Sequence, residues 1–190
     1  MYVISIKQGN ILFEVNADFI VNPSNTMLML GTGVSMAFKN HCGIELQKTM
    51  NEILAGFHAK GYRLKKGDVI PSGPGMADNF KYILHAAIMD YNPGVYFNDK
   101  APDLNDIICC LSNIQNIIIE YAKTNDKNNV NLILPLMGCG HGGLKMFDVI
   151  KLYENFFRLQ DIGPYITCNV IIYGYRENDY KLLLEAISDD

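Results

Sequence analysis

Hydrophobic and polar positions along the chain follow two alternating periods. Short apolar runs, which are typical of buried strands, lie at 2–6, 19–21, 68–70, 82–87, 131–134 and 167–173. Between them, apolar residues recur at three- and four-residue spacing, as on the buried face of a helix, at 34–41, 44–60, 104–123, 146–157 and 180–187. Because strands and helices alternate, the pattern predicts an α/β fold with helices on both faces of a largely parallel sheet.

The stretch 19–43 combines a strand, a polar turn, a glycine loop and a helix. After the strand at 19–21 come the turn formers Asn-Pro-Ser-Asn at 22–25, and a loop that ends in Gly-Thr-Gly-Val at 31–34 leads into the helix. Glycine lets the backbone take positive φ and lets a ligand come close, and the first turn of a helix offers unpaired N–H groups to an anion. This unit therefore predicts a phosphate-binding site.

A second unit of the same kind follows the strand at 131–134. Its loop reads Pro-Leu-Met-Gly-Cys-Gly-His-Gly-Gly over 135–143 and leads into the helix at 146–157. In an open α/β sheet, both loops lie at the carboxyl ends of their strands, where ligands bind. Two anion-binding loops on one edge of the sheet suit a diphosphate.

Length, charge and hydropathy restrict the classes of partner. With 190 residues, of which 49% are hydrophobic and 19% charged, the chain is expected to form a single globular domain over 1–190. The net charge of −4 argues against a basic surface for duplex nucleic acid. Polar residues at 112, 113, 115 and 116 interrupt the most apolar helical stretch, so we expect no membrane span.

The five cysteines form no C-x-x-C pair and no zinc-finger spacing with histidine. An odd number of cysteines without such a framework is typical of reduced thiols, and the N-terminal residues lack a signal-peptide pattern. We therefore expect a cytoplasmic protein that holds neither a metal nor a cofactor.

Two alternatives to a diphosphate site are weaker. The glycines of the first loop fit a variant of the dinucleotide fingerprint, but residues 22–30 separate them from the strand end, and no strand with an acidic end follows about twenty residues later. A thiol enzyme with Cys139 as nucleophile would gain from the helix N-terminus beside it. However, Met137 and His141 stand where a nucleophile elbow has glycine.

Four segments carry a further pattern in their order and spacing. They are Gln8-Gly-Asn-Ile-Leu, Ile20-Val-Asn-Pro-Ser-Asn with Gly31-Thr-Gly-Val, Tyr82-Ile-Leu-His-Ala, and the second glycine loop at 135–143. Together they resemble the macrodomain family, whose members bind ADP-ribose, over almost the whole chain. The resemblance implies a three-layer α/β/α sandwich with a central mixed, mostly parallel sheet.

The resemblance also implies how an adenine base is bound. Asn10 stands where the family usually has an aspartate that accepts a hydrogen bond from the adenine amino group, and an amide oxygen can accept that bond without the charge. Ile11 would donate its backbone N–H to the ring. Tyr173 would pack on adenine, with Tyr175 as the alternative aromatic residue.

For the rest of the ligand, the resemblance points to the asparagines and to the two loops. Asn25 matches a residue that contacts the distal ribose, and Asn22 matches an earlier one that is either structural or faces the ligand. The diphosphate would be wrapped by Gly31, Thr32, Gly33 and Val34 of the first loop and Gly138, Cys139, Gly140, His141 and Gly142 of the second.

Departures from the family bear on catalysis. One hydrolase branch has an aspartate where this chain has Ser35, and another has a lysine and an aspartate where it has Ala86 and Gly142. Serine, alanine and glycine cannot replace those groups in acid–base or covalent catalysis. His141 lies where the family often has an aromatic residue against the distal ribose, and it could stack there or activate a water molecule.

These residues lead to two hypotheses. The first is a protein that binds ADP-ribose and its derivatives and hydrolyses a terminal phosphate (as in ADP-ribose-1″-phosphate processing), acetyl or ADP-ribosyl ester group. In it, Asn25 orients a water and His141 assists. The second is a non-catalytic reader of ADP-ribosylated proteins. Asn10 also leaves room for another nucleotide, such as an RNA end. His85, inside a strand, is expected to be a hydrogen-bonded core residue.

Overall fold

The computed structural model describes residues 1–96 and 99–187. Over these residues the chain forms six strands, five α-helices and one short 3-10 helix. In chain order they are β1 (Tyr2–Gln8), the 3-10 helix (Ile11–Phe13), β2 (Ala17–Asn25), α1 (Gly33–Cys42), α2 (Glu45–Ala59), β3 (Val69–Ser72), β4 (Phe80–Met89), α3 (Leu104–Thr124), β5 (Asn129–Pro135), α4 (Met146–Leu159), β6 (Thr167–Gly174) and α5 (Glu177–Ala186).

The strands form one sheet in the order β1-β6-β5-β2-β4-β3. β3 is antiparallel to β4, and every other neighbouring pair is parallel. One hydrophobic core packs α1 and α2 against one face of the sheet, and a second packs α3, α4 and α5 against the other. The architecture is therefore the predicted three-layer α/β/α sandwich with a mixed, mostly parallel sheet.

The longest helix, α3, shows how the sequence sets an element and its ends. Ile107, Leu111, Ile114 and Ile118 recur at the spacing of one helix face and are at most 1% exposed. At its start, Asp103 accepts from the N–H of Asp106 at 2.9 Å, and the Asp106 carboxylate accepts from the N–H of Asp103 at 2.9 Å. This capping box stabilises the first turn.

No helix in the described residues is long and apolar enough to cross a membrane.

The predicted turn at 22–25 is wrong, because β2 continues through these residues to Asn25. Asn22, Pro23 and Ser24 pair with His85, Ala86 and Ala87 of β4. Proline has no N–H to donate to a neighbouring strand. Pro23 is tolerated in β2 because β2 pairs with β5 only at Phe19 and Ile20, so that Pro23 has no partner on the β5 side. Tertiary pairing has overridden the local turn preference.

The early end of the β2–β5 pairing also creates a crevice. β5 pairs with β6 along its full length to Pro135, whereas its pairing with β2 ends at Ile133. The loops that follow β2 and β5 therefore leave the sheet side by side, at the carboxyl edge. This is the position at which open α/β sheets bind ligands.

Candidate functional site

Two cavities lie at the carboxyl edge of the sheet, and the two glycine loops form the wall between them. The larger has a volume of about 520 Å³ and the smaller about 280 Å³. Both are lined by Gly33 and Val34 from the start of α1 and by Leu136 and Gly140 from the second loop. The sequence-predicted loops therefore do converge on one crevice.

The first loop presents the N-terminus of α1 to this crevice. Thr32 is extended, with φ −145° and ψ 160°, and Gly33 enters the helix with φ 56°. The first intrahelical bond runs from the N–H of Met36 to the carbonyl of Thr32, so the N–H groups before it lack intrahelical partners. Thr32, Gly33 and Val34 line the cavities, whereas Gly31 lines neither.

The predicted core face of α1 is displaced by one position. Ser35, Phe38 and Cys42 are buried, whereas Val34 is 41% exposed. The sequence places Val34 both on the apolar face of this helix and in the loop predicted to wrap the diphosphate. In the structure α1 starts at Gly33, and its first turn faces the crevice. This orientation is what makes Val34 a wall of both cavities.

The second loop is tightly folded. The N–H of Leu144 donates to the carbonyl of Gly138 at 3.0 Å, closing the loop on itself. A Cβ added at Gly142 would lie 2.7 Å from the carbonyl oxygen of Gly138 and 2.8 Å from Cγ of Pro102. Gly138 takes φ 80°, which other residues rarely adopt. Glycine is therefore required at both positions.

The larger cavity contains the residues predicted to hold a base. Asn10, Ile11 and Tyr173 line it together with Tyr175 and Cys139. The Tyr173 hydroxyl donates to the Glu14 carboxylate, which fixes the ring at the cavity wall. Burial, followed by this hydrogen bond, raises the pKa of Tyr173 well above its usual value, so the hydroxyl remains a donor.

Asn10 has a structural task as well. Its Oδ1 accepts from the backbone N–H of Leu12 at 3.0 Å and so caps the 3-10 helix. A carbonyl oxygen has two lone pairs, so the same atom keeps one for a ligand donor. The position thus retains the acceptor expected from the sequence.

The smaller cavity contains both residues predicted for catalysis, Asn25 and His141. The Asn25 side chain shapes the loop after β2: its Nδ2 donates to the carbonyl of Met29 at 3.0 Å, and its Oδ1 accepts from the N–H groups of Met27 and Met29. One Nδ2 hydrogen remains for a ligand or water. His141 is exposed and lines the cavity beside Gly138 and Gly142.

Asn22 lies behind the cavities and lines neither. Its side chain is fully buried, with Nδ2 3.0 Å from Nδ1 of His85 and Oδ1 3.1 Å from Oγ of Ser35. On the other side of the ring, Nε2 of His85 lies 2.9 Å from Oγ of Ser72. Burial lowers the pKa of His85 to about 3, so the ring is neutral. His85 is the hydrogen-bonded core residue that was expected, and of the two roles open to Asn22 the structural one fits.

Cys139 does not have the properties of a nucleophile. It lines the larger cavity, but burial, with a smaller contribution from Asp179, raises the pKa of its thiol to about 12. A protonated thiol is a poor nucleophile. Within the described residues, no group of three or more His, Cys, Asp and Glu side chains could hold a metal ion.

Several lining residues were not predicted. In the larger cavity they include Arg176 and Asp179, which follow β6, and in the smaller they include Ser24, Met89 and Tyr91. A usable signal existed for Met89 and Tyr91, because they come shortly after the predicted strand at 82–87, and the carboxyl ends of strands were already expected to form the site. No Asp, Glu, Lys, Arg or Cys lines the smaller cavity among the described residues.

Most of the chain, including the loops that follow β2 and β5, matches one protein family. The model of the Macro domain family matches residues 21–153, which include both glycine loops. The chain belongs to the macrodomain family. Among curated proteins, none matches it.

Solved macrodomains share the fold of this one. A macrodomain from Oceanobacillus iheyensis, solved with ADP, is 20% identical with a TM-score of 0.71 over 97% of this chain and 89% of that chain. A Trypanosoma brucei macrodomain in complex with ADP-ribose is 17% identical with a TM-score of 0.65, over 97% of this chain and 69% of that chain. At these identities the comparison supports the macrodomain fold.

Proposed function

We propose that this macrodomain binds ADP-ribose and its derivatives. The observation that carries the proposal is the shared wall: two glycine loops from adjacent strands, one of them a helix N-terminus, lie between two cavities. Backbone N–H groups of such loops and of the helix start suit a diphosphate. ADP and ADP-ribose in the solved O. iheyensis and T. brucei macrodomains agree with this choice of ligand.

The two cavities then divide the ligand. Adenosine occupies the larger one, where Tyr173 offers a ring face, Ile11 a backbone donor and Asn10 an acceptor. The terminal ribose occupies the smaller one, near Asn25 and His141. The cavity volumes agree with this division, since the cavity of about 520 Å³ would hold the larger adenosine and the cavity of about 280 Å³ the smaller ribose.

Calorimetric titration with ADP-ribose, ADP, NAD and AMP tests the proposal. We expect ADP-ribose and ADP to bind more tightly than AMP, which lacks the diphosphate. Failure to bind ADP-ribose, or equal affinity for AMP, would contradict it.

A matched pair of variants on α1 makes this test specific. Val34 lines both cavities and is 41% exposed, so Val34→Glu brings a negative charge to the diphosphate position without disturbing the core. We expect about a tenfold loss of ADP-ribose affinity from like-charge repulsion. Met36→Glu is the control, since Met36 is 44% exposed on the same helix and lines neither cavity.

A second candidate function is hydrolysis of a terminal phosphate, acetyl or ADP-ribosyl ester group. The exposed imidazole of His141 in the smaller cavity favours this function. The residues Ser35, Ala86 and Gly142 argue against it, because they stand where the family usually has catalytic groups. Turnover of ADP-ribose-1″-phosphate, O-acetyl-ADP-ribose and a mono-ADP-ribosylated protein separates an enzyme from a reader. With a chemical role, His141→Ala lowers turnover more than binding.

A further inference from the structure

One buried hydroxyl has no partner within the protein. Ser24 is 3% exposed, and its Oγ is the single buried side-chain nitrogen or oxygen without a hydrogen bond among residues 1–96 and 99–187. Buried polar groups are almost always paired, and leaving one unpaired costs about 1–3 kcal/mol. An orphan of this kind indicates a partner that comes from outside the chain.

The position of Ser24 suggests where that partner lies. Ser24 precedes Asn25 on β2 and lines the smaller cavity, as do Gly33 and Val34 at the start of α1. The other serine that lines this cavity, Ser35, is already committed, because its Oγ is 2.9 Å from the carbonyl of Pro23 and 3.1 Å from Oδ1 of Asn22. Of the two serine hydroxyls, that of Ser24 alone lacks a hydrogen-bond partner among the described residues.

The lining of the cavity restricts the chemistry of that ligand. Its described polar side chains are hydroxyls, an amide and an imidazole, and none is a carboxylate, an ammonium or a guanidinium group. Apart from the backbone N–H groups at the start of α1, which are assigned to the diphosphate, nothing in this lining would balance the charge of an ionised group, whereas a hydroxyl can donate to and accept from Ser24. The match is to a neutral, hydroxyl-bearing group such as a sugar.

We infer that Ser24 is a specificity-determining contact, whose hydroxyl bonds a hydroxyl group of the sugar in the smaller cavity. The inference rests on the proposed function, in which that sugar is the ribose beyond the diphosphate. Ser24 thus distinguishes ADP-ribose from ADP.

Calorimetry with ADP-ribose and ADP on the wild type, Ser24→Ala and Ser24→Cys tests this contact. We expect Ser24→Ala to lower the affinity for ADP-ribose by about three- to tenfold, the range for one neutral hydrogen bond, and to leave ADP binding unchanged. Ser24→Cys has a similar, slightly larger side chain whose S–H is only a weak donor, so it should show a similar loss.

Thermal unfolding without ligand supplies a second readout. Because Ser24 Oγ has no internal partner, Ser24→Ala should not lower the unfolding midpoint. Ser72→Ala is the matched control: Ser72 is equally a buried strand serine, but its Oγ is bonded to His85 at 2.9 Å and to the carbonyl of Gly73 at 3.0 Å. The unfolding midpoint of Ser72→Ala should fall, because the substitution removes these hydrogen bonds.

Three results would overturn the inference: unchanged ADP-ribose affinity in Ser24→Ala, equal losses for ADP and ADP-ribose, or a midpoint as low as that of Ser72→Ala. The proposed function fails differently, through a wild-type protein that binds neither ligand, and the ribose assignment then fails with it.

Discussion

At Gly142, one added carbon atom would collide with the protein backbone. The ideal Cβ position is 2.7 Å from the carbonyl oxygen of Gly138 and 2.8 Å from Cγ of Pro102. The family resemblance places an aspartate of one hydrolase branch at this position, so the absence of that carboxylate here is built into the loop. A Gly142→Asp substitution is therefore not expected to create that hydrolase activity.

Alanine substitutions in the same loop test this steric constraint. We expect Gly142→Ala to lower the free energy of unfolding by about 1–3 kcal/mol, because neither backbone nor buried proline can move aside easily. Gly140→Ala is the control: its Cβ would meet nothing within 4 Å, so its effect should stay within about 0.5 kcal/mol. Equal stabilities of the two variants in denaturant titrations would refute the constraint.

Single residues also mark where sequence-based prediction ends. The two glycine loops were predicted because glycine patterns are local, and both line the crevice. The need for glycine at position 142 depends on Pro102, which is distant in sequence. Likewise, the Ser24 hydroxyl is an orphan because none of the described residues packed around it gives it a hydrogen-bond partner. Such facts follow from long-range packing, which periodicity and turn chemistry do not encode.

Among the strands, β2 differs most in extent from the prediction, and its carboxyl end contributes residues to the smaller cavity. The sequence predicts a strand at 19–21, but β2 runs from Ala17 to Asn25. Its polar half is stabilised by β4 and by the bonds of Asn22 to His85 and Ser35. Those partners are distant in sequence, so Asn-Pro-Ser-Asn has only its turn signal when considered alone.

The amino end of β2 is fixed by Asp18, at the opposite end of the strand from the crevice. Asp18 is 4% exposed, and its carboxylate accepts from Lys127 at 2.7 Å, Lys81 at 2.8 Å and the N–H of Asn131 at 3.0 Å. Burial alone would raise the pKa of Asp18, but these hydrogen bonds outweigh it and lower the pKa to about 2. One side chain thus joins β2 to β4 and β5.

This carboxylate predicts a pH dependence of stability. The unfolded pKa of aspartate is about 3.9, so the stabilisation by Asp18 is present above that pH and is lost as the pH falls towards the folded pKa of about 2. We expect Asp18→Asn to lower the unfolding free energy at pH 7 by about 1–3 kcal/mol, and to flatten the decline between about pH 4 and pH 2.

Thermal unfolding across that pH range measures the effect of Asp18→Asn. Glu45→Gln is the control, since the Glu45 side chain is 71% exposed and its carboxylate lies 3.6 Å from Nζ of Lys48, which is itself exposed. The control should keep the wild-type pH profile. If Asp18→Asn also keeps it, the acid sensitivity arises elsewhere.

On the scale of the whole molecule, the protein and its proposed ligand have charges of the same sign. The net charge is −4, and a diphosphate is an anion. Arg176 and Asp179, of opposite sign, line the larger cavity, and no charged side chain lines the smaller one among the described residues. Apart from Arg176, attraction must therefore come from short-range contacts with backbone N–H groups, which need no net positive charge.

This charge distribution predicts that ADP-ribose binding depends weakly on salt. Sites that neutralise phosphates with Lys and Arg lose affinity steeply as salt rises, whereas here screening weakens both the distant repulsion and the single attraction to Arg176. We expect the dissociation constant to change by less than about threefold between about 50 and 500 mM salt. In Arg176→Gln the remaining charge effect is repulsive, so added salt should strengthen binding slightly. A wild-type loss above about tenfold, abolished in Arg176→Gln, would show instead that a cationic side chain supplies the attraction.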